Sequence, residues 1–291
     1  MLHDDRLPAE DTSSADHCDR VATLLKSHGL TSRTTKIAFT SSVGPISAFV
    51  AEPLARDDNA PPLLLLHGIS RDAEEMFEIF RHAAVDAGRM VIAPEFSKKA
   101  WRVFQRITDR IRPDIALLEL LTLLRSAGVI DGKQLEVFGF SGGAQLAHRW
   151  AMLYPHMVAS LHVSSAGWYT LPSTDVQYPY GLGHQETSEK NRSWIRRMTK
   201  SLEAFLRLPI SVYVGAKDCE TEDHALRRNP VLDAAQGCER RMRAAKYRDA
   251  ILSAALAHDI HPSVQFHELP GCGHSFAQCA ASGKLARLVL G

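Results

Sequence analysis

The chain has 291 residues, enough for one large α/β domain or two small ones, and its composition (45% hydrophobic, 23% charged) is ordinary for a globular protein. A formal charge of +1 excludes a global electrostatic pull toward nucleic acid or anionic membrane. No run approaches the ~18 apolar residues of a membrane span, and five scattered cysteines without a C-x-x-C pair exclude a disulfide framework and point to a reduced compartment.

The first 34 residues read as a tail and a short helix. The tail, to about residue 17, has no hydrophobic period, and Val21, Leu24 and Leu25 mark the helix, which stops at Gly29. The tail is acidic and polar and lacks the basic start and apolar core of a signal peptide, so a cytoplasmic location is expected. Lys36 to Glu52 gives two strands around Val43-Gly44-Pro45, an antiparallel hairpin at a sheet edge. Four leucines, Leu63 to Leu66, form a run bounded by Pro62 and His67-Gly68, as in a strand buried on both faces. Helical spacing follows from Asp72 to Ala87, with Asp72 and Glu75 set as a capping pair. Met90 to Ala93 is a strand, Pro113 to about Ala127 a leucine-rich helix, and Gln134 to Phe138 another short strand. A helix from Ala144 to Tyr154 and a strand from Val158 to Val163 come next.

The rhythm then breaks. Residues 167–208 carry Trp168, Tyr169, Tyr178, Tyr180 and Trp194 and no strand pattern. A structureless stretch of that length is usually functional, so it reads as a cap or pocket wall inserted into a single domain spanning 35–291. The alternation resumes with strand Ile210 to Val214, a helix from about Gln236 to Ala257, strand Ser263 to Glu268 and a closing helix from Phe276 to Leu290. Strand–helix alternation of this kind predicts a mostly parallel sheet with helices on both faces.

The chemistry centres on Gly139-Phe140-Ser141-Gly142-Gly143, between a strand and a helix. A serine on such a turn needs glycines two before and two after, because side chains there would collide with the tightly folded backbone. A serine hydroxyl is a weak nucleophile and requires a base, which in turn requires an orienting carboxylate. The base is His274, on a glycine-rich loop between the last strand and the last helix. The acid is Asp218, just past the strand ending at Val214, with Glu220, Glu222 and Asp223 close enough to replace it. Two backbone N–H groups must face the developing oxyanion; position selects those of Gly142 and Ile69. Trp168 and Tyr169 are candidate substrate contacts, and Arg71 is placed either to hold a substrate carboxylate or to serve the surface. The basic runs Arg192 to Arg207 and Arg227 to Arg248 could bind an anionic substrate or polymer, but their interleaved acids and the near-zero net charge favour solvated helix faces. His258, His261 and His267 match no zinc template, so no metal or other cofactor is expected. Cys272 and Cys279, near His274, read as buried hydrophobes rather than a thiol-reactive pair.

The order Ser141, Asp218, His274, together with His67-Gly68 after a strand, resembles the α/β-hydrolase superfamily over residue 35 to the end. Within it the chain is most similar to esterases of the dienelactone-hydrolase and polyhydroxybutyrate-depolymerase type. That resemblance implies an eight-stranded, mostly parallel sheet and cofactor-free hydrolysis of a small-molecule ester through an acyl-enzyme. A thioesterase, amidase or lyase using the same three residues, and a non-catalytic binding protein on the same fold, are the alternatives. The single glycine after His67 departs from the glycine run of some lipases and argues against bulky tertiary-alcohol substrates. Oligomeric state is not readable from the sequence.

Overall fold

The structure, a computed structural model, describes residues 32–132, 134–184 and 188–291. The tail and short helix read from the first residues lie outside this range up to residue 31. Eight strands form one sheet: β1 (Ser32–Ser41), β2 (Gly44–Pro53), β3 (Leu63–Leu66), β4 (Val91–Glu95), β5 (Leu135–Phe140), β6 (Val158–Ser164), β7 (Ile210–Gly215) and β8 (Val264–Leu269). Their spatial order is β1-β2-β4-β3-β5-β6-β7-β8. The pairs β1–β2 and β2–β4 are antiparallel and all the others are parallel. The expected hairpin therefore forms one edge, with Ser41 opposite Gly44.

The side-chain period of two explains how the sheet is covered. Along β3, Leu64 and Leu66 enter one core and Leu63 and Leu65 the other, and all four are fully buried. Each stabilises the fold by about 2 kcal/mol through burial. On the face of Leu63 and Leu65 pack α1 (Ala73–Asp86), α8 (Phe276–Ala281) and α9 (Leu285–Leu290). On the opposite face pack α2 (Pro113–Ser126), α3 (Gly142–Leu153), α4 (Glu189–Lys200), α5 (Leu202–Leu206) and α7 (Arg240–Ala257). A short helix, α6 (Pro230–Gln236), precedes α7.

Three local expectations are corrected. The closing helix is two helices, because Lys284 takes a left-handed backbone (φ 52°) after Gly283. A β-carbon at Gly283 would lie 2.6 Å from the Cys279 carbonyl. The helix expected from about Gln236 starts at Arg240, and a short helix that the sequence reading did not anticipate, α6, ends before it at Gly237 with φ 96°. Asp72 precedes α1 but its side chain caps no backbone N–H; Glu74 and Glu75 lie in the first turn, where a negative charge complements the helix dipole. Among its described residues, the stretch 167–208 holds α4, α5 and one isolated bridge between Gln177 and Gly183 and no strand. Among the described residues no helix is long and apolar enough to cross a membrane.

Candidate active site

Strand register gathers the predicted residues. Leu66 pairs with Gly139, Phe140 with Ser164, Ser164 with Tyr213, and Gly215 with Leu269. The carboxyl ends of β3, β5, β6, β7 and β8 therefore finish in line, and the loops leaving them share one rim of the sheet. Parallel sheets collect their functional groups along this rim.

Ser141 sits between β5 and α3 at φ 53° and ψ −111°, a backbone strained for any residue but glycine. The surroundings leave it little choice. A β-carbon on Gly143 would lie 1.8 Å from the Leu66 carbonyl oxygen, and one on Gly139 2.5 Å from that of Gly143. The Ser141 N–H is anchored on the Ser164 carbonyl at 2.8 Å. The hydroxyl is thereby held at the positive end of α3.

His274 lies between β8 and α8, its ring stacked on Phe140 with centroids 5.4 Å apart. The Ser141 hydroxyl donates to His274 Nε2 at 3.1 Å, and His274 Nδ1–H donates to Asp218 Oδ2 at 2.9 Å. Of the four neighbouring acids read from the sequence, Asp218 is the one bonded to the histidine. Glu220 and Glu222 are exposed, and Asp223 has another task. The two supporting loops are tied together, with the Lys217 N–H on the Cys272 carbonyl and the Ala216 N–H on that of Leu269.

The role of Asp223 exposes a residue that the sequence reading missed. Arg240, at the start of α7, is buried. Its Nη2 donates to Asp223 Oδ2 at 2.5 Å, and its Nη1 lies 3.5 Å from Asp218 Oδ1. Burial works to raise the Asp223 carboxyl, but the Ala225 N–H and the Arg240 guanidinium outweigh it and hold it below the ordinary aspartate range. Arg243, one turn on, is also buried, donating to the carbonyls of Gly237 and Gly167 and to Asp233. The solvated-face reading of this basic run is thus wrong at both positions. Alternating charge along the helix concealed the fact that their partners come from distant segments.

Across from the serine, the loop after β3 turns at Gly68, whose carbonyl accepts the Arg71 N–H at 3.1 Å. His67 shapes it from below. Its Nδ1–H donates to the Gly68 carbonyl at 2.7 Å and its Nε2 accepts the Phe96 N–H at 3.0 Å. Burial pushes its pKa down to about 4, so the ring is neutral and keeps this tautomer. A β-carbon built on Gly142 would lie 3.3 Å from the Ile69 nitrogen, so these two backbones approach closely. Neither the Ile69 nor the Gly142 N–H has a protein acceptor among the described residues.

The remaining candidates separate. Arg71 donates to the carbonyls of Phe96 at 2.8 Å and Trp101 at 2.9 Å and lies over the Phe104 ring. Its contacts clamp the 96–104 segment onto the loop, and they lend no support to a carboxylate-holding role. Tyr169 is fully buried and stacked on Tyr247 at 4.1 Å, which makes it a core residue. Trp168 lies on the wall of a cavity of about 320 Å³. Cys272 and Cys279 are buried beneath the histidine loop, where burial and the neighbouring Cys272 push the Cys279 thiol up to about 12. No group of three or more His, Cys, Asp or Glu among the described residues is arranged to hold a metal ion.

Solved structures share this architecture. A poly(aspartic acid) hydrolase from Sphingomonas sp. KT-1 matches with a TM-score of 0.74 at 21% identity, over 90% of this chain and 100% of that one. The chain has the α/β-hydrolase fold. A poly(3-hydroxybutyrate) depolymerase from Bordetella parapertussis matches with a TM-score of 0.69 at 24% identity, over 93% of this chain and 92% of that one. An S-formylglutathione hydrolase from Agrobacterium tumefaciens matches at 0.57 and 16%, over 90% and 96%. No protein-family model matches the sequence, and no curated protein does. The eight-stranded mixed sheet and the esterase-like neighbours agree with the resemblance read from the motifs.

Proposed function

We propose that the protein is a serine hydrolase that cleaves a carboxylic ester through an acyl-enzyme. The observation that carries this reading is the relay Asp218–His274–Ser141, joined at 2.9 and 3.1 Å although its members lie on three separate loops. The names of the structural neighbours, hydrolases and a depolymerase, support the same class.

His274 Nε2 takes the hydroxyl proton as Ser141 Oγ forms a bond to the ester carbonyl carbon. The carbonyl oxygen becomes an anion in front of the Ile69 and Gly142 N–H groups, whose lack of protein acceptors leaves them available to it. The bond to the leaving alcohol then breaks, and His274 returns the proton to that oxygen. A water, activated by the same ring, attacks the acyl carbon and releases the acid and the free serine. Asp218, backed by Arg240, holds the imidazole with Nε2 toward the serine and stabilises the imidazolium. The segment 167–208 forms the cap over this rim, within one domain from residue 35 onward.

A fluorophosphonate probe tests the activated serine without any guess at the substrate. The expected outcome is a single adduct on Ser141, located by peptide mass spectrometry. It should be absent in Ser141→Ala and slowed at least 100-fold in His274→Ala, as expected when the base is removed. A wild-type protein that is folded and leaves the probe unreacted would overturn the reading.

A further inference from the structure

The cavity walled by Trp168 has an unusual charge. Three arginines line it, Arg106, Arg149 and Arg227, against one acid, Asp109, which accepts the Trp194 indole N–H at 3.1 Å. Among the described residues none of the three arginines forms an ion pair with a carboxylate.

Arg149 is the most telling. It is buried on α3, and its guanidinium lies 3.9 Å over the Trp168 ring. Its Nε donates to Thr170 Oγ1 at 3.0 Å, and its Nη1 to the carbonyls of Gln145 and Gln105 at 2.8 and 3.0 Å. All of these acceptors are neutral, and Nη2 is buried with no partner at all. A buried cation without a counter-ion is costly and rarely kept unless something compensates it. Burial first, and then repulsion from Arg106 and Arg227, pulls its pKa down to about 9; Arg106 is lowered in the same way by burial and Arg227. Arg227 reaches across the same Trp168 ring, its guanidinium 5.7 Å from the centroid. The Arg149 and Arg227 cations therefore sit within about 10 Å of each other.

The cavity also has a defined relation to the serine. Gln145 N–H donates to the Ser141 carbonyl, and Arg149 is one turn further along α3. Eight residues of helix put Arg149 about 12 Å from the serine. From the geometry we infer that this cavity is a subsite for an oxyanion group on the substrate, a carboxylate or a phosphoryl group, carried several bonds from the scissile carbonyl. The inference rests on the hydrolase reading for the word substrate, while the anion site itself does not.

Two measurements separate these layers. The first uses p-nitrophenyl half-esters of glutaric, adipic and suberic acid beside the same esters with the free acid methylated. Wild type should prefer the charged member of one pair in kcat/KM. The double variant Arg106→Gln/Arg227→Gln should lower that preference about tenfold, the worth of a charge-assisted hydrogen bond. Arg207→Gln, an exposed arginine on another surface, should leave it unchanged. A preference for the methylated ester, or one that the double variant does not move, overturns the subsite. The second measurement needs no catalysis: adipate and inorganic phosphate are titrated into Ser141→Ala protein, with indole fluorescence and calorimetry as readouts. Binding of either ion that is lost in the double variant supports the site even if no ester is cleaved. Adipate alone makes the group a carboxylate, and phosphate alone makes it phosphoryl. Binding of neither, or binding unchanged in the double variant, overturns it.

Discussion

Arg240 stands behind Asp218, the residue bonded to His274. Its cation lies between Asp218 and Asp223 at the start of α7; Arg240 and Asp218 are buried, and Asp223 is partly exposed. Removing the cation leaves Asp218 buried with its charge uncompensated on that side. Arg240→Met is expected to cost about 3–5 kcal/mol, the range for breaking a buried pair. Urea unfolding reads this directly. Probe labelling of Ser141 should slow as well, because Asp218 would no longer be held where Nδ1 of His274 needs it. Arg240→Lys keeps the charge but cannot span both carboxylates in a fork, so it should recover part of the stability and little of the labelling rate. Ser141, Asp218 and His274, which the structure brings together, were legible as a candidate set because the proposed chemistry demands those residue types in that order. Arg240 was not, since a basic residue in a charged helix carries no mark of being buried until its distant partners are in place. Ile69 was chosen on position alone, because a backbone donor leaves no trace in side-chain identity.

Among the elements, the turn between β5 and α3 is the most tightly determined. The Gly143 position is closed by main chain, the Leu66 carbonyl oxygen lying 1.8 Å from any added β-carbon. Backbone on both sides cannot yield as a flexible side chain would. Gly143→Ala is therefore expected to abolish soluble folded protein, a larger effect than the ~1–3 kcal/mol of ordinary overpacking. Gly128 has no neighbour within 4 Å of an added β-carbon. Gly128→Ala should cost only the ~1–2 kcal/mol of its left-handed backbone. Thermal melts of the two variants check the contrast; a folded Gly143→Ala protein near wild-type stability would contradict it. Strands were readable wherever apolar runs ended at punctuation, as in Leu63 to Leu66 before His67-Gly68. The break in the closing helix was missed for the opposite reason. At Gly283 a single glycine interrupts a sequence whose hydrophobic pattern continues, and the pattern outweighed the punctuation.

Among the described residues, three buried histidines, His67, His148 and His162, are built into the frame. His67 is pushed down to about 4 by burial, His148 lies well below the ordinary range through burial and Arg149, and His162 is pushed to about 3 by burial and then by Arg89 and His267. Glu136 stands near His162 but is engaged by Arg89. Above pH 6.5 these rings are neutral in both folded and unfolded chains, so they add no pH dependence. Below 6.5 the unfolded chain takes up protons that the folded one refuses, and stability falls until the folded pKa is passed. His67 alone contributes a loss of order 3 kcal/mol between pH 6.5 and about 4, and the others act in the same direction. The urea midpoint should be flat from pH 7 to 8 and drop steeply between 6 and 4.5. A midpoint unchanged down to pH 4.5 would contradict the neutral, buried state of these rings.

The serine and the histidine it is bonded to are 133 positions apart along the chain. A ribosome adding about 5–20 residues per second needs roughly 7 to 27 seconds to cover that interval. Ser141 thus leaves the exit tunnel long before His274 has been synthesised, and β7 and β8 must join the sheet before the two side chains can meet. On the proposed reading, activity toward an ester arises only when the sheet is completed and Ser141 and His274 meet.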